Sequence, residues 1–237
     1  MLLGSAALVG SAHPVRAAPA RTRFALAGVV RLDGLTPAPR MIPVTDPACR
    51  AAHPHGLPDE RLLAGPGREL ANVFVYLTTN VPAGEVPVPV APITINQQGC
   101  RYAPHVFGIR VGQPLAIINS DPVLHNIHAL ARVGRPFNVG MPPRNQPWTV
   151  VRTFTAPEVM VHIRCDVHGW MNAWAGVLAH PWFAVSGPDG RFTLPPLPPG
   201  DYTLAAWHER CGSATRQVHI GSVPPPPVQF IFHAPPD

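Results

Sequence analysis

An all-β fold follows from three features of the 237-residue sequence. Its 33 prolines and 20 glycines, with only 13% charged residues, leave no room for long helices, because each proline removes an amide donor and clashes with the preceding turn. Between about 93 and 179, short β-branched runs recur at close spacing: VFGIRVG, PLAIINS, NIHALAR, TVVRTFT, VMVHIRC and AWAGVLA. Gly, Pro, Asn and Asp separate them, as in sandwiches and barrels. From Phe183 onward, FAVSGPDGRFTLPPLPPGDYTLAAWHE alternates strands with Pro-Asp-Gly and Pro-Pro-Gly-Asp turns, which are chain-reversing sequences.

Residues 1–20 resemble the later part of a secretory signal, with small-residue endings at Ser11-Ala12 and Ala18-Pro19-Ala20, although without the basic stretch that opens such segments. No later apolar run is long enough to span a bilayer, so stable membrane insertion is not expected. A periplasmic or extracellular location is. Phe24 to Asp33 reads as a strand entering a turn at Gly34, followed by a long irregular loop, 35–67, expected to wrap over the sheet. Leu70 to Thr79 reads as a strand from its β-branched and aromatic content, and Pro87 to Asn96 as a weaker one because of its prolines. TRQVHIG and VQFIFHA close the chain around the stiff run Pro224 to Pro227.

All 18 basic residues are arginine, and the net charge of +5 is spread without a cluster or an aromatic-interleaved face. Nucleic acid is therefore not expected as a partner; the charge reads as a solvated surface that could steer an acidic protein. The sequence has no Gly-rich phosphate loop, nucleophile elbow or plausible Ser-His-Asp order, so the enzyme classes built on those motifs are disfavoured.

Chemistry concentrates in Val161 to Trp174, VHIRCDVHGWMNAW, where Cys165, His168 and Met171 fall at three-residue intervals. Alternation puts Val161, Ile163 and Cys165 on one strand face, and a turn through Gly169 can bring His168 and Met171 back over the cysteine. A thiolate, an imidazole and a thioether form a soft donor set suited to copper, and a mononuclear electron-transfer site adds a second imidazole. His125, in NSDPVLHNIHAL, is the candidate. Met141 in the turn GMPPRN is a competing thioether, and Cys49, His53 and His55 could make a second site but lack a fourth ligand of defined spacing. His128 and His162 read as surface or supporting residues, and His208-Glu209 as a contact between two modules. With Cys165 assigned to metal, three cysteines remain, and Cys49 with Cys100 is the favoured disulfide, leaving Cys211 unpaired.

The central segment resembles the cupredoxins, most nearly the amicyanin-like blue copper proteins. Tyr102-Ala-Pro104, the Val111-Gly112 turn, the Asn119 and Asp121 segment before His125-Asn126, and the Cys165, His168, Met171 loop carry the resemblance over about a third of the chain. It implies one type 1 copper site with His125, Cys165 and His168 as strong ligands and Met171 as the weak one. The implied activity is single-electron transfer between redox partner proteins. It also implies that Asn126 ties the two ligand loops together, and that His168, Trp170, Pro142 and Pro143 form the docking patch. Asp166 and Gly169 depart from the family, which carries Thr or Ser after the Cys and Pro after the second His. Asn126 then faces a carboxylate or a shifted loop, and a negative charge at Asp166 close to the thiolate should favour oxidised copper, lowering the potential.

The flanks resemble a different family, the carboxypeptidase-regulatory-like or transthyretin-like β-sandwich, through Asp189-Gly190-Arg191-Phe192-Thr193-Leu194 and Pro198-Pro199-Gly200-Asp201-Tyr202-Thr203-Leu204. Together the two resemblances imply a cupredoxin-like Greek-key sandwich, 93–180, inserted in or packed beside a regulatory-like sandwich contributed by 21–92 and 181–237. Insertion at a loop tip is tolerated when the inserted ends lie close together. Two other functions stay open on sequence: a copper enzyme or sensor with an open coordination position, and a non-redox binding or assembly protein.

Overall fold

The computed structural model describes residues 22–34, 38, 40–84, 86–143 and 148–234. The signal-like stretch 1–20 lies outside them. Among the described residues there are eighteen strands and one six-residue helix, so the protein is all-β. No helix among them is long and apolar enough to cross a membrane.

The strands sort into two sandwiches with separate cores. In the first, Phe24–Asp33 lies between Arg191–Leu197, antiparallel, and Val228–His233, parallel. The opposing sheet runs Phe183–Val185, Phe74–Thr79, Gly200–His208, Gly212–Ile220. Alternation turns Leu26, Val30, Leu32, Phe230 and Phe232 inward, where they meet Val75, Leu77, Leu204 and Ile220.

The second sandwich has a five-stranded sheet in the order Phe137–Met141, His125–Ala129, Glu158–Arg164, Asn172–Leu178, Val106–Arg110. Its partner sheet runs Trp148–Arg152, Leu115–Asn119, Ile93–Gln97, Tyr102–Ala103. Ile95, Ile109, Ile117, Ile127, Val161 and Ile163 fill the space between them. Sheet membership passes from the first sandwich to the second between Thr79 and Ile93, and back between Leu178 and Phe183.

Two glycines make the seam between the sandwiches possible. Gly108 and Gly176 are register partners on adjacent strands, so the outer face of the second sandwich is bare there. A methyl group at Gly176 would sit 2.2 Å from the Phe74 ring, and one at Gly108 2.3 Å from Phe183. Beside these rings Glu209 pairs with His105 and accepts a 2.9 Å hydrogen bond from Trp174 Nε1. The module contact read at His208-Glu209 is thus made by the glutamate. His208 turns into its own sandwich, where its Nδ1 accepts from the amides of Arg210 and Cys211.

Four sequence expectations need adjustment. The loop 35–67 contains helix Pro47–Ala52 and a small ladder between Met41–Ile42 and Leu57–Pro58. Asp46 caps the helix through the amides of Ala48 and Cys49, with Pro47 in the first turn, an Asp-Pro start that is a helix signal in its own right. The expected strand Leu70–Thr79 begins only at Phe74, because Asn72 adopts φ 61° and breaks the extended run. The expected Pro87–Asn96 strand is Ile93–Gln97, after the last proline has passed. Met141, expected in a turn, ends the strand Phe137–Met141, which its Asn138 and Gly140 disguised.

Candidate metal centre

The second sandwich brings the four candidate ligands to one end. His125 opens strand His125–Ala129, and Cys165 directly follows Glu158–Arg164, which pairs with it through Ile163–Ala129 and Arg164–His128. Beyond Cys165 the chain turns tightly. Met171 N donates to His168 O at 2.9 Å and Cys165 N to Met171 O at 3.1 Å, which folds His168 and Met171 back beside the cysteine. His125 Nδ1 lies 2.9 Å from His168 Nδ1, and His168 Nδ1 lies 3.9 Å from Cys165 Sγ. All three donor atoms fall within 4.8 Å of one another. His125, Cys165 and His168 are 0, 2 and 3% exposed, and Met171 is buried in the same core as Cys165.

Each imidazole turns its other nitrogen to a carboxylate. His125 Nε2 is 2.9 Å from Asp121 Oδ2, and His168 Nε2 is 3.5 Å from Asp46 Oδ2, an ion-pair distance without hydrogen-bond geometry. Such outer partners fix the tautomer that leaves the inner nitrogen free to ligate. Asp121 is itself held by the amides of Gly99 and Cys100, both at 2.7 Å.

The local electrostatics favour the ligating forms of Cys165 and His168 but the protonated form of His125. Burial pushes the Cys165 thiol up, but its hydrogen bond with His125 and nearby backbone amides outweigh this and hold it below the usual thiol range. Burial alone would lower His125, yet Asp121 and Cys165 bring it above the ordinary imidazole value. His168 falls below it, through burial first and the neighbouring His125 second. Two facing Nδ1 atoms cannot both accept, so one carries a proton that a bound metal ion would displace. Two imidazoles and a buried thiolate suit a soft or borderline metal and are wrong for magnesium or calcium.

Asn126 joins the loops that carry the candidate ligands. Its Oδ1 accepts from Asp166 N at 2.7 Å and lies 3.2 Å from Cys165 Sγ, while its Nδ2 donates to Asp166 Oδ2 at 2.9 Å. Asp166 also accepts from Asn138 at 2.8 Å, His128 at 3.0 Å and Arg164 at 3.0 Å. Led by the His128 hydrogen bond, these contacts hold its carboxyl at about 2. His162 instead bonds Asn172 Oδ1 at 2.7 Å and stacks on Trp174. Of the two thioethers, Met141 pairs with His125 across its strand ladder, but its sulfur already accepts from Gln97 Nε2 at 3.1 Å.

The loop 35–67, expected to wrap over the sheet, packs on both sandwiches: Leu62 and Ala64 lie against the first core, and the part before them, the strap, crosses onto the second. Cys49 and Cys100 are joined in a disulfide, and Val44, Cys49, Leu57 and Cys100 form a small core against which Trp170 packs. Trp170 Nε1 donates to Cys100 O at 3.1 Å. The docking patch therefore needs correction: Pro142 and Pro143 are exposed, but His168 is buried and Trp170 half-buried beneath this strap, because the disulfide and Asp46 bring the strap over them. The second metal site at Cys49, His53 and His55 is ruled out in this arrangement. Cys49 is oxidised, His53 bonds Gly99 O at 2.9 Å, and His55 faces solvent.

The sequence assigns no role to Asp46, Gln97, Asn138 or the Tyr102 hydroxyl, which donates to Asn126 O. Only Asp46 carries a local signal, its Asp-Pro helix start. Asp121 belongs to the motif before His125, but the motif does not reveal what its carboxylate does.

No family model and no curated protein matches the sequence. Solved structures that match in part include the Cu-containing nitrite reductase NirK from Thermus scotoductus SA-01, at 23% identity over 41% of this chain, TM-score 0.31. The chain spans 24% of that enzyme's length. An amicyanin variant in its Cu(I) form matches at 22% identity over 37% of this chain and 85% of its own, TM-score 0.32. A reduced amicyanin variant matches at 20% over 44% and 97%, TM-score 0.32. These structural neighbours are cupredoxins, matched over 37–44% of the chain.

Proposed function

We propose that this chain is an exported mononuclear copper protein that carries single electrons between redox partner proteins. His125 Nδ1, Cys165 Sγ and His168 Nδ1 are the strong ligands, with Met171 as the weak axial one. The observation that carries the reading is the convergence of two imidazole nitrogens and a thiolate, all within 4.8 Å and sealed from water. Bound copper supplies a one-electron couple between Cu(II) and Cu(I), and this donor set is the one that tunes it.

The chain's own residues hold the site rigid. Asp121 orients His125, Asn126 pins the Cys165 turn to the His125 strand, and the strap keeps water from His168. Gln97 occupies the Met141 sulfur, which favours Met171 as the thioether. The Cys49–Cys100 disulfide fits an oxidising compartment.

Adding Cu(II) to the purified chain tests the proposal. Intense visible thiolate-to-copper absorption, abolished by Cys165→Ser, is the expected result. Its absence from the folded wild-type protein refutes copper binding and leaves the binding or assembly reading. A spectrum that changes on adding azide refutes the closed carrier and indicates an open coordination position.

A further inference from the structure

We infer that the cleft between the strap and the metal loop is a binding site for a small organic carboxylate with an apolar or aromatic body. The cleft encloses about 350 Å³, within the roughly 300–1,000 Å³ of small-molecule sites. One wall is the strap, residues 40–43 and 57–61; the other is Arg101, Tyr102 and His105 with the turn Gly169 to Asn172.

Floor and rim differ in chemistry. Leu57, Tyr102 and Met171, each 1% exposed, form an apolar floor beside Ile42 and Trp170. Three arginines stand among the lining residues, and their pairing decides the sign of the ligand. Arg61 is spent on Asp59 through Nε contacts of 2.8 and 3.0 Å and an Nη2 contact of 2.5 Å. Arg101 forms an ion pair with Glu60 at 3.6 Å through Nη1, outside hydrogen-bond distance, and its side chain is 41% exposed. Arg40 makes no side-chain hydrogen bond or ion pair among the described residues. His105 is committed to Glu209 and to Asn172 O. The donors left unsatisfied at the rim are thus guanidinium N–H groups, which recognise carboxylate in a planar, paired geometry. An apolar body below such donors completes the amphipathic pattern of a ligand pocket.

Benzoate is the test ligand, and methionine methyl NMR of the full chain is the readout. Met41 and Met171 line the cleft, whereas Met141 and Met160 do not. Benzoate should shift the first two methyl signals saturably and leave the other two in place. Arg40→Ala and Arg101→Ala should each weaken binding by about tenfold, the scale of one charge-assisted contact, and neutral benzamide should bind correspondingly worse. Both arginines are solvent-accessible, and an unchanged melting temperature verifies folding of the variants. No saturable shift in the millimolar range, equal movement of the Met41, Met171, Met141 and Met160 methyls, or equal affinity for benzamide overturns the inference. Arg40 and Arg101 are not among the proposed copper ligands, so measurement on the metal-free chain separates this outcome from that of the copper titration.

Discussion

Removing the strap's covalent anchor with Cys49→Ser/Cys100→Ser joins stability to the metal site. The disulfide closes a loop of 51 residues in sequence separation. Loop-closure entropy for that span is about 4 kcal/mol on the chain-entropy model, within the roughly 2–5 kcal/mol that native disulfides contribute. At about 2–4 °C per kcal/mol for a chain of this size, the melting temperature should fall by about 8–16 °C. The strap's other ties to the second sandwich include the His53 bond to Gly99 O, the Glu60 ion pair with Arg101 and the Asp46 contact with His168. Once the anchor is lost these compete with chain entropy, and His168 becomes reachable from solvent. Thermal unfolding followed by circular dichroism measures the first effect. Stopped-flow oxidation of the reduced copper protein by ferricyanide measures the second, and the rate should rise in the variant. A fall in melting temperature under about 3 °C, with the ferricyanide rate unchanged, would show that noncovalent packing alone holds the strap and refute the reasoning.

Three further predictions concern the seam and the ligand loop. Glu209→Gln removes the charge opposite buried His105 but keeps an acceptor for Trp174, and should cost about 3 kcal/mol. His105 lies above its ordinary 6.5, because Glu209 outweighs burial, and Glu209 lies below its ordinary 4.5, because His105 does the same. The pair's contribution is therefore complete between about pH 4.5 and 6.5, fading as pH rises through the folded His105 value or falls through that of Glu209. The melting-temperature gap between wild type and variant should shrink from pH 6 toward pH 9; a gap that widens contradicts the pairing. Gly176→Ala drives a methyl to 2.2 Å from the wholly buried Phe74 ring and should cost about 1–3 kcal/mol in urea unfolding, whereas a neutral result would mean the seam is loosely packed. Asp166→Thr removes a carboxylate held ionised beside the Cys165 turn. The copper potential should then rise, and an unchanged potential would exclude Asp166 as a tuning charge.

Local pattern carries far into this protein. Period-two alternation and turn residues mark most strands of both sandwiches, because half-buried strands repeat every second residue. The Cys165, His168, Met171 turn is legible because one tight loop supplies all three side chains. Even Phe137–Met141 escapes notice for a local reason: Asn138 and Gly140 are poor strand formers, and the strand exists because His125–Ala129 pairs with it.

What spacing could not show is which distant groups close around that turn. Asp46 reaches His168, and Gln97 takes the sulfur of Met141, from segments with no sequence relation to the ligand loop, while Asp121 reaches His125 from only four residues before it. The strap reads as an aimless loop because it has no periodicity of its own; the fold decides its place by bringing Cys49 to Cys100 and Trp170 beneath both. Alternation along a strand is written residue by residue, so the chain displays it directly. Burial of His168, the cleft over Met171 and the glycine seam beneath Phe74 depend on two surfaces meeting, and only packed tertiary structure brings those surfaces together.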